Sequence, residues 1–366
     1  MKILIAGDFC PQHRVAELFE KGDFSTVLGE VQTIIKHSDY SIVNYECPVC
    51  NGTEKPIIKI GPNLKCSKSG IEAIQWAGFN CVTLANNHFR DYGQEGIEQT
   101  TNLCQAQGIE TVGGGRTLAE ARNTLLINRG LSKVAIINVC ENEWSIATDI
   151  RGGSNPINPI RQYYDIKEAK QEADFVIVIV HGGTEWYNLP TPRMKETYRF
   201  FIETGADAVI NHHQHCYSGY ELFQGKPIFY GLGNFCFDKG EQNKIFWNEG
   251  YMVMLDLHEE KIDFTIIPYE QCAAQPTIHV LDDRTEFDLE IQKLNLIIAD
   301  DKLLQDSFHR LSLSRKRGIY NILSPYSSRL LKRLQIHGII PAFVTKNKLI
   351  SVLSKIQCEA HRDILL

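Results

Sequence analysis

The sequence predicts an α/β fold, and three observations carry that expectation. Short apolar runs alternate with amphipathic stretches from the first residues to about residue 235, the rhythm of strands joined through helices. Five of those apolar runs end in Asp, Glu, Asn or His, and an open α/β sheet binds its ligands outside the carboxyl ends of its strands. From about Phe287 the pattern turns helical and stays so to the end.

Taken in order, strands are expected at 3–6, 41–44, 81–84, 135–139, 175–180 and 208–210. Helices are expected at 26–36, 71–76, 96–107, 166–173 and 194–203. The runs 251–257 and 262–267 flank a turn-like His258-Glu-Glu-Lys261, which reads as a hairpin. Segment 141–160 is rich in Asn, Gly and Pro and reads as a long surface loop, the kind that borders active sites.

At 366 residues the chain is long for one domain, so a large body with an extension is expected. Apolar residues at 43% and charged residues at 22% are ordinary for a soluble globular protein. The net charge of −6 conceals an asymmetry: residues 302–362 hold twelve Lys/Arg against two acids, about +10, which leaves about −16 on the rest. The boundaries expected are a body at 1–270 and a basic, mainly helical extension at 271–366. The opening Met1-Lys-Ile-Leu-Ile-Ala-Gly-Asp8 lacks the features of a signal peptide, and no apolar run is long enough to span a bilayer. Eleven scattered cysteines, several in core-like strands, read as reduced thiols of a cytoplasmic protein. Cys47 and Cys50 form a lone CxxC with no second pair, which argues against a structural zinc site.

The five runs that carry chemistry end at Asp8, Glu46, Asn87-His88, His181 and His212-His213-Gln214-His215. Carboxylates balance the charge of cations, while imidazoles and an amide oxygen complete coordination, so the set suits two metal ions. Each group also has a plain reading. Asp8 can cap a turn, Glu46 can pair with a base, Asn87 and His88 can bond a loop, and His181 can be a satisfied core histidine. The histidine cluster is the strongest element, since three histidines in four residues seldom serve packing. If extended, it places His213 and His215 on one face and His212 away.

Together Gly7-Asp8, Asn44-Tyr45-Glu46, Asn86-Asn87-His88 with Asp91 and Gly93, His181-Gly-Gly-Thr-Glu185, Gly205-Ala-Asp207, His213-Gln-His215 and Gly231-Leu-Gly-Asn-Phe235 resemble the CapA-like, poly-γ-glutamate capsule-synthesis branch of the calcineurin-like metallophosphatases. The resemblance runs from residue 1 to about 238 and implies a four-layer αββα sandwich with its site at the sheet edge. It implies two divalent metal ions, Mn, Fe or Zn. Asp8 and His215 would hold the first, Asn87, His181 and His213 the second, and Glu46 would bridge both. His88 would serve the leaving group rather than a metal. Asp91 would orient His88 or cap a helix, Glu185 would bind substrate or act as a second acid or base, and Asn234 would be supporting or structural. There are departures. Cys10 stands where the wider superfamily often has histidine, as a soft ligand or a buried inert thiol. Gln214 and Asn211 replace a proline and a glycine. Many relatives are anchored or exported, whereas this chain begins at its first strand.

Three functions follow as expectations. The leading one is a dinuclear phosphoesterase; the same centre acting on an amide, by hydrolysis or epimerisation, is the rival; a non-catalytic capsule-assembly factor is the third. The expected partner is a phosphorylated or polyanionic small molecule or polymer, and no nucleic-acid module is recognised. Segment 302–362 reads as a membrane-surface or protein contact, or as a helical extension packed on the acidic body.

Overall fold

The computed structural model describes residues 1–129, 132–239, 245–259, 261–322, 328–341, 350 and 352. They divide into two units, Met1–Leu304 and Gln305–Leu366. The first unit therefore runs past residue 270.

Its first sheet begins with β1 (Lys2–Phe9), β2 (Tyr40–Tyr45), β3 (Cys81–Thr83) and β4 (Glu110–Val112), all parallel. A ribbon strand β5 (Gly114–Gly115) follows, then β6 (Leu125–Arg129) and β7 (Ser132–Cys140) open a second sheet. The ribbon closes on β8 (Gly153–Ser154), inside the loop expected at 141–160. The second sheet continues through β9 (Phe175–His181), β10 (Ala208–His212), β11 (Tyr220–Phe223) and β12 (Lys226–Phe229). The chain then returns to the first sheet as β13 (Asn234–Cys236), β14 (Glu249–His258), β15 (Lys261–Gln271) and β16 (Ile278–Val280). Strand order is β16-β15-β14-β1-β2-β3-β4, with β13 paired to β1, and β11-β12-β10-β9-β7-β6. β14 and β15 form the expected hairpin, closing with His258 opposite Lys261.

Helices α1 (His13–Glu20), α2 (Phe24–Lys36), α3 (Ser69–Ala77) and α4 (Gly93–Ala106) share one apolar cluster with the first sheet; Val15, Leu28, Ile74 and Ile97 meet Leu4, Val43 and Val82 there. Helices α5 (Pro159–Glu172) and α6 (Pro192–Thr204) lie along β7, β9 and β10 of the second sheet. These are the helix and sheet layers of an αββα sandwich. Every residue of β9, Phe-Val-Ile-Val-Ile-Val-His, is buried, as a strand covered on both faces requires. Each such side chain removed from water contributes about 1.5–3 kcal/mol before entropy is counted.

Parallel strands matter here because they end on one edge. β1, β2 and β3 deliver Asp8, Glu46 and Asn87 from the first sheet. β9 and β10 deliver His181 and the histidine cluster from the second, with His212 in register beside His181. Gly7 is required where β1 meets the chain before β13. A Cβ there would lie 2.1 Å from the carbonyl oxygen of Gly233, and the same approach lets the Asp8 N–H donate to that oxygen at 3.1 Å.

In the second unit, the helix Arg329–Ile336 is capped by the Ser328 side chain and exposes Leu330 and Leu331. The side chains of Lys316, Lys332 and Ile336, and residues 323–327, 342–349 and 353–366, lie outside the described residues; so does part of the expected run of helix to the end of the chain.

Candidate metal centre

Asp8, Glu46, Asn87, His181, His213 and His215 come together in one buried site. Two groups of ligand atoms form within it. Glu46, His181 and His213 make one; Asp8, Glu46 and His215 make the other; within each, the atoms lie within 4.8 Å of one another. Glu46 belongs to both. Its Oε1 lies 3.4 Å from His181 Nε2 and 3.7 Å from His215 Nε2. Asn87 Oδ1 lies 3.1 Å from His181 Nε2, and His213 Nδ1 lies 3.1 Å from the same nitrogen.

The electrostatics of these groups point to a bound positive charge. Glu46 is wholly buried, and neither carboxylate oxygen has a hydrogen-bond partner among the described residues. A buried polar atom without a partner is costly, so an unpartnered carboxylate asks for a positive charge. Burial, and after it the charge of Asp8, pushes Glu46 well above the ordinary carboxylate range. Burial raises Asp8 to about 7, against the Asn44 amide and the His213 N–H that donate to it at 2.7 and 3.2 Å. Burial, and then neighbouring His213, drives His181 and His215 well below the usual imidazole value. Neutral imidazoles, an amide oxygen and carboxylates are the donor set of Mn²⁺, Fe²⁺ and Zn²⁺ sites. The residues present fit divalent metal binding.

The histidine cluster is not extended. His213 has φ of 93° and His215 has φ of 55°, both left-handed, so the chain kinks instead of alternating. Each such residue costs on the order of 1–3 kcal/mol, a strain that gathers at functional sites. His212 also faces inward, on the side that its β10 register shares with His181: its Nδ1 lies 3.7 Å from Asp8 Oδ1, and neither ring nitrogen has a hydrogen-bond partner among the described residues.

Supporting residues fix the ligands. Asn44 stands opposite Asp8 in the β1–β2 register, with its side-chain Oδ1 accepting from the Thr83 hydroxyl at 3.1 Å. Asn234 Oδ1 lies 2.9 Å from His215 Nδ1 and its amide donates to the carbonyls of His215 and Trp247. With Nδ1–H given to Asn234, Nε2 of His215 faces Glu46 as the free donor atom. His88 Nδ1 lies 2.6 Å from Asp91 Oδ2. Asp91 does not cap α4, whose N-cap is Tyr92; both of its oxygens are engaged by His88, Lys59 and the Leu64 N–H. Glu185 is exposed, though its charge reaches Glu46 and His213. Glu143, on the 141–160 loop, has Oε1 3.9 Å from His213 Nε2, and Ser145 of that loop donates to the Asn87 carbonyl at 2.7 Å.

Residues 2–239 match the family described as "Bacterial capsule synthesis protein PGA_cap". The chain belongs to that family. All of the site residues above fall inside the matched region. Among curated relatives, the capsule biosynthesis protein CapA of Bacillus anthracis is 31% identical over 248 residues, covering 66% of this chain and 60% of the relative. The PGA biosynthesis protein CapA of Bacillus subtilis (strain 168) is 30% identical over 244 residues, covering 64% and 62%. The PGA_cap chain thus spans about 60% of the length of the curated relatives it matches. A solved structure titled a novel phosphatase, from Mycoplasma pneumoniae, aligns at 14% identity and a TM-score of 0.46, covering 75% of this chain and 94% of that one.

The PGA_cap motifs were legible as a resemblance, and Cys10 is now placed. It is fully buried in the apolar cluster of the first sheet, where burial above all raises its thiol, and it joins neither ligand group. Among the described residues, no helix is long and apolar enough to cross a membrane.

Proposed function

We propose that this PGA_cap protein is a metal-dependent hydrolase with a dinuclear centre, acting on a phosphoester of a phosphorylated or polyanionic molecule linked to capsule or cell-surface polymer synthesis. One observation carries the reading: Glu46, buried with both oxygens unpartnered, is shared by two groups of metal-type ligands. Asp8, Glu46 and His215 would hold one cation, and Glu46, Asn87, His181 and His213 the other. When bound, such a pair supplies Lewis-acid neutralisation of phosphate charge and lowers the pKa of the attacking water. The remaining work falls to the chain. As the water oxygen bonds to phosphorus and the ester P–O bond breaks, the departing oxygen needs a proton. His88, with Nδ1–H given to Asp91 and a second proton on Nε2, offers that Nε2 proton and is left as the neutral Nδ1–H ring.

Metal binding should depend on pH through the carboxyls. The folded values of Asp8 and Glu46 lie above their unfolded ones, so without metal the fold retains protons that the unfolded chain releases, and stability falls as pH rises from about 4 toward 7. A cation that holds the ionised forms reverses this. The imidazoles, already neutral through burial, compete little. The rise in Tm on adding Mn²⁺ is expected to be on the order of 5 °C larger at pH 8 than at pH 5.5. Equal rises at both pH values would contradict ligation through these carboxyls.

The printed description of the Bacillus subtilis relative, PGA biosynthesis, favours a second reading in which the same centre acts on an amide. A panel separates them. Metal-loaded protein is incubated with p-nitrophenyl phosphate, bis-p-nitrophenyl phosphate and γ-glutamyl-p-nitroanilide. Metal-dependent release of p-nitrophenol supports the phosphoesterase. Release of p-nitroaniline alone would transfer the assignment to amide chemistry, and no release from any would favour an assembly factor.

A further inference from the structure

The segment between Glu46 and α3 inverts the usual burial rule. Ile58 and Ile60 are 99% and 78% exposed, yet the Lys59 side chain between them is only 3% exposed. Apolar groups gain by leaving water and an ammonium loses, so stability alone would arrange these three residues the other way. Inside, Lys59 meets Asp91, whose side chain is sealed from solvent. Its Nζ donates to Asp91 Oδ1 and lies 3.2 Å from His88 Nδ1. Two more bonds from the same segment end on Asp91. The Ile57 N–H donates to its carbonyl oxygen at 2.9 Å, and the Leu64 N–H donates to Oδ2 at 2.7 Å. Asp91 therefore ties down a strap, residues 57–64, with the same carboxylate that holds the His88 ring.

We propose that Lys59 is a positioning residue for His88. Its ammonium fixes the Asp91 carboxylate so that Oδ2 takes Nδ1–H of His88, leaving Nε2 aimed at the leaving group. It also pins the strap that seals this arrangement from water. The inference rests on the hydrolase reading in which His88 is the proton donor. Lys59→Met, which keeps the stem and removes the charge, is the informative change.

Two measurements on the full chain test it. In metal-loaded protein, p-nitrophenyl phosphate has a leaving group that departs with little protonation, whereas phenyl phosphate needs the proton. Lys59→Met is expected to lower kcat about 2-fold on the first and at least about 30-fold on the second, with KM within about 2-fold and metal content unchanged. Equal losses on both esters, or loss of metal, would reduce Lys59 to a stabilising residue and overturn the proposal. In metal-free protein, hydrogen exchange at the Ile57 and Leu64 amides is expected to quicken by at least about 10-fold in the variant while β3 stays protected; unchanged exchange also overturns it. That second readout judges Lys59 even if wild type cleaves neither ester, a result that would count against the hydrolase reading instead. Should the single variant misfold on its stranded carboxylate, Lys59→Met/Asp91→Asn removes both buried charges together. Read against Asp91→Asn alone, it is expected to fold and to cleave phenyl phosphate at the same rate, because Lys59 acts through Asp91; a further loss of about 10-fold or more in the double variant would refute the role.

Discussion

Replacing Glu46 with glutamine is expected to cut bound metal from two ions to fewer than one and to lower kcat by at least about 10³-fold. The size follows from the several kcal/mol that Lewis-acid charge stabilisation supplies, at about 1.4 kcal/mol per tenfold in rate. Glu46 is the residue common to both ligand groups, so its loss weakens both at once, whereas Asp8→Asn or His213→Ala removes a ligand from one. The same substitution separates function from stability. Burial and the nearby Asp8 both disfavour a charge at Glu46 in the absence of metal, and its oxygens gain no hydrogen bond in return. A neutral amide of equal shape spares the fold that conflict. Metal-free Glu46→Gln is therefore expected to melt no lower than metal-free wild type at pH 8, while wild type alone gains stability from Mn²⁺. A variant that melts lower without metal, yet binds two ions, would place Glu46 in the core rather than in the centre.

His88→Gln is expected to show the opposite signature. Metal content stays at the wild-type value, because His88 belongs to neither ligand group. The rate falls by about 10²–10⁴-fold on esters with poor leaving groups, the usual contribution of a positioned proton donor. The effect shrinks on p-nitrophenyl phosphate, which departs with less help. His88 keeps its ring in place through Asp91, so Asp91→Asn should reproduce a fraction of the same leaving-group dependence without loss of metal. Equal losses on all esters would assign His88 to substrate binding, and loss of metal would assign it to coordination.

How much of this was legible depends on where each residue sits. Asp8, Glu46, Asn87 and His181 follow apolar runs, and parallel strands that end at one edge bring such positions together whatever lies between. Chemistry at a strand end leaves a pattern in the chain. Lys59 leaves none, because a lysine between two isoleucines in a segment without periodicity reads as the exposed member of the three. Its burial is set by Asp91, 32 residues on, and only folding brings them together. His212 was expected to turn away from its neighbours, but that geometry held only for an extended chain, and the left-handed residues at 213 and 215 break the alternation. Asn44 and Asn234 stood within the motifs without clear roles, since an asparagine's partner depends on register. Asp8 opposite Asn44 and His215 beside Asn234 settle where their amides go.

The short elements were missed for a related reason. α1 and the strands β4, β6, β11, β12, β13 and β16 are too brief, or too polar on their open faces, to show a period. β13 matters most among them, because its parallel pairing with β1 puts Asn234 level with Asp8 and carries the second sheet's chain back to the first. The expected core strands all appear, each lengthened by a residue or more except the one at Cys81–Thr83, which ends one residue earlier.

The central claim is that two cations share Glu46 at the meeting edge of the two sheets. Crystals grown with Mn²⁺, measured for anomalous scattering at the metal's absorption edge, address it without reference to any substrate. Two peaks are expected, one within coordination distance of Asp8, Glu46 and His215 and the other within reach of Glu46, Asn87, His181 and His213. Fully loaded crystals with no peak among these side chains, or with Glu46 contacting neither ion, would contradict it.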